Sequence, residues 1–334
     1  MMFSSLSDVA HFATTAPRFD EEAASAARAR QNSLTKPPGS LGRLEEVAIF
    51  MAGWRGREKP VIERAQALVF AGNHGICVHG VSPYPAEVTV QMVANYESGG
   101  AAINQLCGAF GAELSAVSLD LDRPTADFTQ ALAMDEAETL DALNRGAAAV
   151  DQSADVLVLG EMGIGNSTVA AALACALLGG EPADWVGPGT GADAQGMARK
   201  AQVIARGLER HRGVTGMALL SALGGREQAA LCGAVLAARA ARIPVLLDGF
   251  ICTASAGVLH GVDPRLLDHC LVGHASAEPG HRRLLDALGK QALLDMGMRL
   301  GEGTGAALAL GILRAALACH NGMATFGEAG VSEA

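Results

Sequence analysis

From about residue 64 onward, short apolar runs alternate with longer helix-like stretches, and few folds satisfy that pattern. "ALVFAG" (67–72), "LSAVSLDL" (114–121), "DVLVLG" (155–160), "PVLLDG" (244–249) and "HCLVGH" (269–274) each have the length of a strand. Between them, 167–178, 194–210 and 226–242 read as helices. Strands that alternate with helices build a parallel sheet, because each crossover helix must pack back onto a sheet face. The expectation is therefore an α/β chain: a Rossmann-like parallel sheet with helices on both faces.

Outside this region the pattern is helical. "FDEEAASAARARQ" (19–31) reads as one helix, and "TKPPGSLGRLEEVA" (35–48) as a proline–glycine connector into another, with Ser40 as its cap. The last long helix starts near Thr304 and runs to about His320. Half of the 334 residues are hydrophobic and only 18% are charged, so the chain can bury a large core.

The strand candidates end in glycine-rich or polar loops: "GNHG" (72–75), "GEMGIGN" (160–166), "DGF" (248–250) and "GHASAEPG" (273–280). Ligands of open parallel sheets bind outside the carboxyl ends of the strands. Polar residues of these loops, Glu161, Asp248 and Ser276 among them, are thus expected on one rim.

Several function classes are disfavoured. A net charge of −10 is the opposite of the basic footprint a nucleic-acid surface needs. It also means that any anion site must be built locally, from helix N-termini and single basic residues. Seven scattered Cys with no CxxC pair read as reduced thiols of a cytoplasmic protein. No signal-peptide core is apparent near residue 1, and no uncharged apolar run reaches the ~20 residues of a membrane helix. "GTGAALALGILRAALAC" comes nearest, and Arg314 interrupts it. His74 and His79, or His274 and His281, lack the spacing of metal ligands, so no metal is expected.

Two glycine turns suit a phosphate. In "GEMGIGNST" (160–168), Gly163 and Gly165 let the backbone approach a ligand, and Asn166, Ser167 and Thr168 can cap the helix that follows. The third glycine of the dinucleotide fingerprint is missing, which disfavours a dehydrogenase, and no Walker lysine follows. "GPGTGAD" (187–193) is the second turn, with Gly189 and Gly191 before a helix that carries Lys200. Lys200 either holds a phosphate or lies on a solvated helix face.

"LGEGTG" (300–305) sets Glu302 between two glycines in a wall of Leu, Met and Ala. Burial in such a wall raises a carboxylate's pKa toward working pH, as a general base requires. The bland alternative is a glutamate at a helix N-terminus, favoured by the macrodipole.

Taken together and in order, "TKPPGSLGRLE" (35–45), "NHGI" (73–76), "GVSPYPAEVTVQM" (80–92), "GEMGIGNST", "LLDGF" (246–250), "GHASAEPG" and "MRLGEGTGAALAL" (298–310) resemble the nicotinate-nucleotide–dimethylbenzimidazole phosphoribosyltransferase (CobT) family over nearly the whole chain. The resemblance implies transfer of a 5-phosphoribosyl group from nicotinate mononucleotide to 5,6-dimethylbenzimidazole, for the lower ligand of cobalamin, with no cofactor. It also implies a homodimer, with a small helical domain built from residues 1–62 and 306–334 beside a large α/β domain, 63–305. By motif position, Glu302 matches the general base, Glu161 and its glycines the nucleotide loop, and Lys200 the basic residue near the phosphate. Ser82, Tyr84, Gln91 and Met92 fall in the segment that walls the base pocket. A non-catalytic nucleotide sensor on the same fold is the rival reading; it would have no use for the acid in "GEG".

Overall fold

The computed structural model describes residues 2–189 and 191–332. Among the described residues six strands form one sheet: β1 (Ala65–Ala71), β2 (Ala112–Ser118), β3 (Val156–Met162), β4 (Val245–Leu247), β5 (Cys270–His274) and β6 (Ala292–Leu294). Every pairing is parallel, in the order β2-β1-β3-β4-β5-β6. All five expected strands are present. The sixth has no signature in the sequence: β6 is three residues long and only half-buried, too short for any periodicity to show.

Side chains alternate across the sheet, and each face has its own core. Leu68, Phe70, Leu157, Leu159, Val245 and Leu247 point to one face, where helices Asn166–Leu178, Arg226–Ala240 and Phe250–Val262 cover them. Ala67, Val69, Val156, Val158 and Leu246 point to the other, under Arg43–Arg55, Ala102–Phe110 and Thr304–Gly322. The many small residues permit close packing. A Cβ on Gly146 or Gly233 would strike the backbone of the opposite helix in the pair Glu136–Ala148 and Arg226–Ala240.

The strand order differs from the dinucleotide-binding Rossmann arrangement. Chain direction across the sheet reverses between β1 and β3, so the switch point, and with it the ligand crevice, lies at their carboxyl ends.

The terminal segments are tied together. Arg30 Nε donates to the His320 carbonyl at 2.7 Å, and Leu34 pairs with Thr325 in an isolated antiparallel bridge. The first expected helix runs Glu21–Ser33, started by Asp20, whose side chain accepts from the Ala23 N–H. Ser40 does not cap the next helix. That helix, Arg43–Arg55, begins after Gly42 at φ +52°, and Glu45 reaches back instead, accepting from Leu41 N–H at 3.0 Å and from Lys36 Nζ at 2.7 Å. A boundary at residue 306 falls inside Thr304–Gly322, whose Ala306, Ala307, Ala309 and Leu310 belong to the core of the sheet. Among the described residues no helix is long and apolar enough to cross a membrane.

Candidate active site

A cleft of about 740 Å³, its open mouth included, lies at the carboxyl edge of the sheet. Segments following five strands line it: Val81 and Ser82 after β1, Glu161 to Ser167 at the end of β3, Asp248 to Ile251 after β4, His274, Ser276 and Glu278 after β5, and Arg299 to Glu302 after β6. The expected rim therefore exists, and Glu161, Asp248, Ser276 and Glu302 share it.

Glu302 stands in a run of three left-handed residues, Gly301 at φ +84°, Glu302 at +63° and Gly303 at +86°. Only glycine adopts that conformation freely; a side chain there costs about 1–2 kcal/mol. Two features hold it. Asp248 accepts from Gly303 N–H at 3.3 Å and from Ala306 N–H at 2.9 Å, and so caps the helix Thr304–Gly322. Gly160 in β3 leaves room beneath the loop: a Cβ there would sit 2.5 Å from Gly303 N and 2.6 Å from the Glu302 carbonyl carbon. The glutamate is thus aimed by a strand without a side chain and by a capped helix, not by its own preference. This accounts for the glycines on both sides of it.

Glu302 is 8% exposed. Burial pushes its carboxyl above the usual range, and the nearby Asp248 adds to the shift. The buried Tyr96 hydroxyl, which has no well-aligned hydrogen-bond partner, lies beside Glu302 and favours its ionised form. Glu161 is pushed up much further, first by burial and then by Asp248 and Glu227, against the opposing amide of Asn166, which donates to its carboxylate. The cleft floor is therefore a cluster of buried acids. Burial pushes Asp248 up as well, against His274, 3.6 Å away, and the Gly303 and Ala306 N–H groups, which favour its ionised form.

The other end of the cleft suits an anion. Helix Asn166–Leu178 starts at Gly165, φ +92°, and no side chain caps it, so Asn166, Ser167 and Thr168 do not play the capping role expected of them. Asn166 binds Glu161 instead, and Ser167 Oγ accepts from Lys200 Nζ at 3.2 Å. Lys200 is 3% exposed, not on a solvated face; it does not itself line the cleft but lies against Ser167 and Gly189, which do, and also donates to the Gly187 carbonyl at 3.2 Å. Burial lowers its pKa while Glu278 raises it. Gly189 lines the cleft. Gly191 does not, and the helix Ala194–Arg210 is capped by Asp193 rather than open to a ligand, so it contributes Lys200 and not its N-terminus.

Three expected residues are not brought in by this chain. Tyr84 is 51% exposed, Gln91 is exposed, and Met92 packs against the sheet core; of the segment 80–92 it is Val81 and Ser82 that reach the cleft. The histidines have local partners: His74 lies 3.0 Å from Glu227, His79 lies 2.7 Å from Asp127, and His281 Nδ1 accepts from Ser276 N–H. Among the described residues no group of three His, Cys, Asp or Glu is arranged to hold a metal.

A family model described as phosphoribosyltransferase matches residues 16–331. A nicotinate-nucleotide–dimethylbenzimidazole phosphoribosyltransferase of Rhodobacter capsulatus is 64% identical over 332 residues, 99% of each chain. The enzyme of that name from Roseobacter denitrificans is 59% identical, over 99% of this chain and 98% of its own. The crystal structure of CobT from Thermus thermophilus superposes with a TM-score of 0.89 at 44% identity, covering 94% of this chain and all of that one. This chain belongs to the nicotinate-nucleotide–dimethylbenzimidazole phosphoribosyltransferase family.

The cleft presents two environments: Ser167 and Gly189, with the buried Lys200 held against both, and a wall of buried carboxyls ending in Glu302. Four residues of the site carry little or no signal in the sequence. Glu278 lies within "GHASAEPG" with nothing to single it out, and Arg299 shows only as a charge near Glu302. Tyr96 has no local signature, since a helix delivers it, and His274, at a strand end, shows only as one of a histidine pair without metal-ligand spacing.

Proposed function

We infer that this chain transfers the 5-phosphoribosyl group of nicotinate mononucleotide to 5,6-dimethylbenzimidazole, releasing nicotinate and α-ribazole 5′-phosphate, a step in building the lower ligand of cobalamin. Full-length membership in the family supports the activity. The observation that carries the mechanism is Glu302, buried in a left-handed loop at the cleft wall, where nothing in the fold itself needs a carboxylate.

The chemistry follows from charge. Nicotinate leaves the ribose as a neutral pyridine ring, so it needs no proton. The attacking benzimidazole nitrogen becomes cationic as its bond to the anomeric carbon forms, and the N–H of its other nitrogen turns acidic. Glu302 accepts that proton and stabilises the growing positive charge. The flanking glycines let a flat bicyclic base lie against the main chain. In-line attack opposite the departing ring inverts the anomeric carbon and gives the α product. The donor bond is already activated, so the reaction requires neither a metal nor a redox cofactor.

Gly189, Ser167 and the N-terminus of helix Asn166–Leu178, which no side chain caps, form the proposed phosphate cradle, with Lys200 held against Ser167 and Gly189 and Ser276 on the same wall. Glu161, Gly163, Gly165 and Asn166 form the nucleotide loop, and Asp248 positions Glu302 through the helix cap. Gly191, Tyr84, Gln91 and Met92 have no such support within one chain. The exposed Val78, Tyr84 and Val90, in the chain segment that carries the cleft-lining Val81 and Ser82, fit burial against a second copy, which supports a homodimer. The joined chain ends support a small helical unit from 1–62 and 306–334, sharing Thr304–Gly322 with the sheet. Seven free cysteines suit a reducing cytoplasm.

Incubation of the purified protein with nicotinate mononucleotide and a panel of bases tests the reading directly. Formation of α-ribazole 5′-phosphate with dimethylbenzimidazole is expected. Nucleotide binding without turnover for any base would leave the sensor reading in its place.

A further inference from the structure

The proposed phosphate cradle already contains a carboxyl group. Glu278 Oε1 accepts from the Gly189 N–H at 2.9 Å, a backbone donor of that cradle. Gly189 is the hub of the cradle: a Cβ on it would lie 2.9 Å from Ser167 Oγ and 3.0 Å from Lys200 Nζ. Arg299 closes the same turn by donating to the Gly189 carbonyl at 2.9 Å. Burial pushes the Glu278 carboxyl up, while the Gly189 N–H and the nearby cations Lys200 and Arg299 favour its ionised form.

Two details argue against a plain structural brace. Glu278 is only 7% exposed, yet its second oxygen, Oε2, has no hydrogen-bond partner among the described residues. A buried oxygen of this kind is costly in a permanent contact. Room for it exists only because residue 187 is glycine; a Cβ there would overlap Oε2. Glu278 also occupies the N-cap position of helix Pro279–Ala287 without capping it, so its own helix N-terminus offers the side chain another place to go.

We propose that Glu278 is an internal competitor for the phosphate cradle: its carboxylate holds the Gly189 N–H in the empty site and is displaced by the 5′-phosphate of the substrate. The proposal rests on the phosphate-site reading above. It makes Glu278 a specificity residue, since a nucleoside without a phosphate offers no anion to displace the carboxylate. It also aids turnover, because the returning carboxylate helps expel a phosphorylated product.

The sign of one substitution decides between competitor and brace. Glu278→Gln keeps the shape but removes the charge. A lost competitor lets inorganic phosphate and nicotinate mononucleotide bind more tightly, on the order of tenfold, the scale of relieving one like-charge contact. A lost brace loosens the 187–189 turn and makes both bind more weakly. Calorimetric titration of both probes into the wild type, Glu278→Gln and Lys200→Ala measures this, with circular dichroism as the folding control. Should Glu278→Gln fail to fold, Glu278→Asp serves, because the shorter acid reaches Gly189 poorly and again predicts tighter binding. Equal or weaker phosphate binding by the folded variant overturns the proposal. If Lys200→Ala also leaves both affinities unchanged, the phosphate site itself has been misassigned; if Lys200→Ala weakens them, only the role of Glu278 falls.

Discussion

Glu302→Gln should have opposite effects on rate and on stability. Gln keeps the size of the side chain and its place in the left-handed loop, but it accepts no proton at neutral pH. Loss of general-base catalysis lowers kcat by roughly 10²–10⁴-fold. Stability moves the other way. Burial and Asp248 raise the folded-state pKa of Glu302 above its ordinary value of 4.5. Between those two pKa values the folded state holds more protons than the unfolded state, so this group's contribution to stability falls as pH rises. The penalty is absent below the ordinary value and complete above the raised one, at about 1.4 kcal/mol for each tenfold change in the proton-binding constant. Glu302→Gln removes it, so the variant should unfold at a higher temperature than wild type near pH 8. The difference should vanish near pH 4. Single-turnover rates and thermal melts at both pH values provide the measurement. A folded variant with more than about a tenth of wild-type kcat sinks the general-base assignment. A variant no more stable at pH 8 than at pH 4, relative to wild type, refutes the claim that the loop buries a strained acid.

The remaining predictions concern the surroundings of that residue. Gly160→Ala places a methyl 2.5 Å from Gly303 N, where only backbone can yield; kcat should fall and stability drop by about 1–3 kcal/mol, read by kinetics and urea unfolding. Lys200→Ala should raise the KM for nicotinate mononucleotide far more than that for the base, consistent with a charge-assisted contact worth about 1.5–3 kcal/mol. Exhaustive EDTA treatment should leave turnover unchanged; activity lost to the chelator and restored by a divalent ion would overturn the metal-free mechanism.

Much of the site was legible because glycine is conspicuous. "GEMGIGNST" and "LGEGTG" announce backbone that must come close to something, and the structure puts both on one cleft. What each polar neighbour does there was not legible. Asn166, Ser167 and Thr168 have the chemistry of caps, yet Gly165 holds the N-cap position and Asn166 turns to Glu161. Asn166 has two local options, and the carboxylate of Glu161, five residues before it and buried by the fold, wins over the cap. Ser40 lost its place in the same way, to Glu45, which satisfies Leu41 and Lys36 at once.

The parallel α/β class, five of the six strands and the rim that holds the chemistry can all be read from the order of residues. Those features depend on hydrophobic period and on residues such as glycine, whose effects act over a few positions. Other properties appear only once the chain is folded: Lys200 is buried, Asp248 and Gly160 aim Glu302, and Tyr84 and Gln91 stay exposed without lining the cleft of their own chain. Burial, a shifted pKa and an enforced left-handed backbone arise from groups dozens to hundreds of residues apart, as Gly160 and Gly303 are, and no local pattern carries that distance.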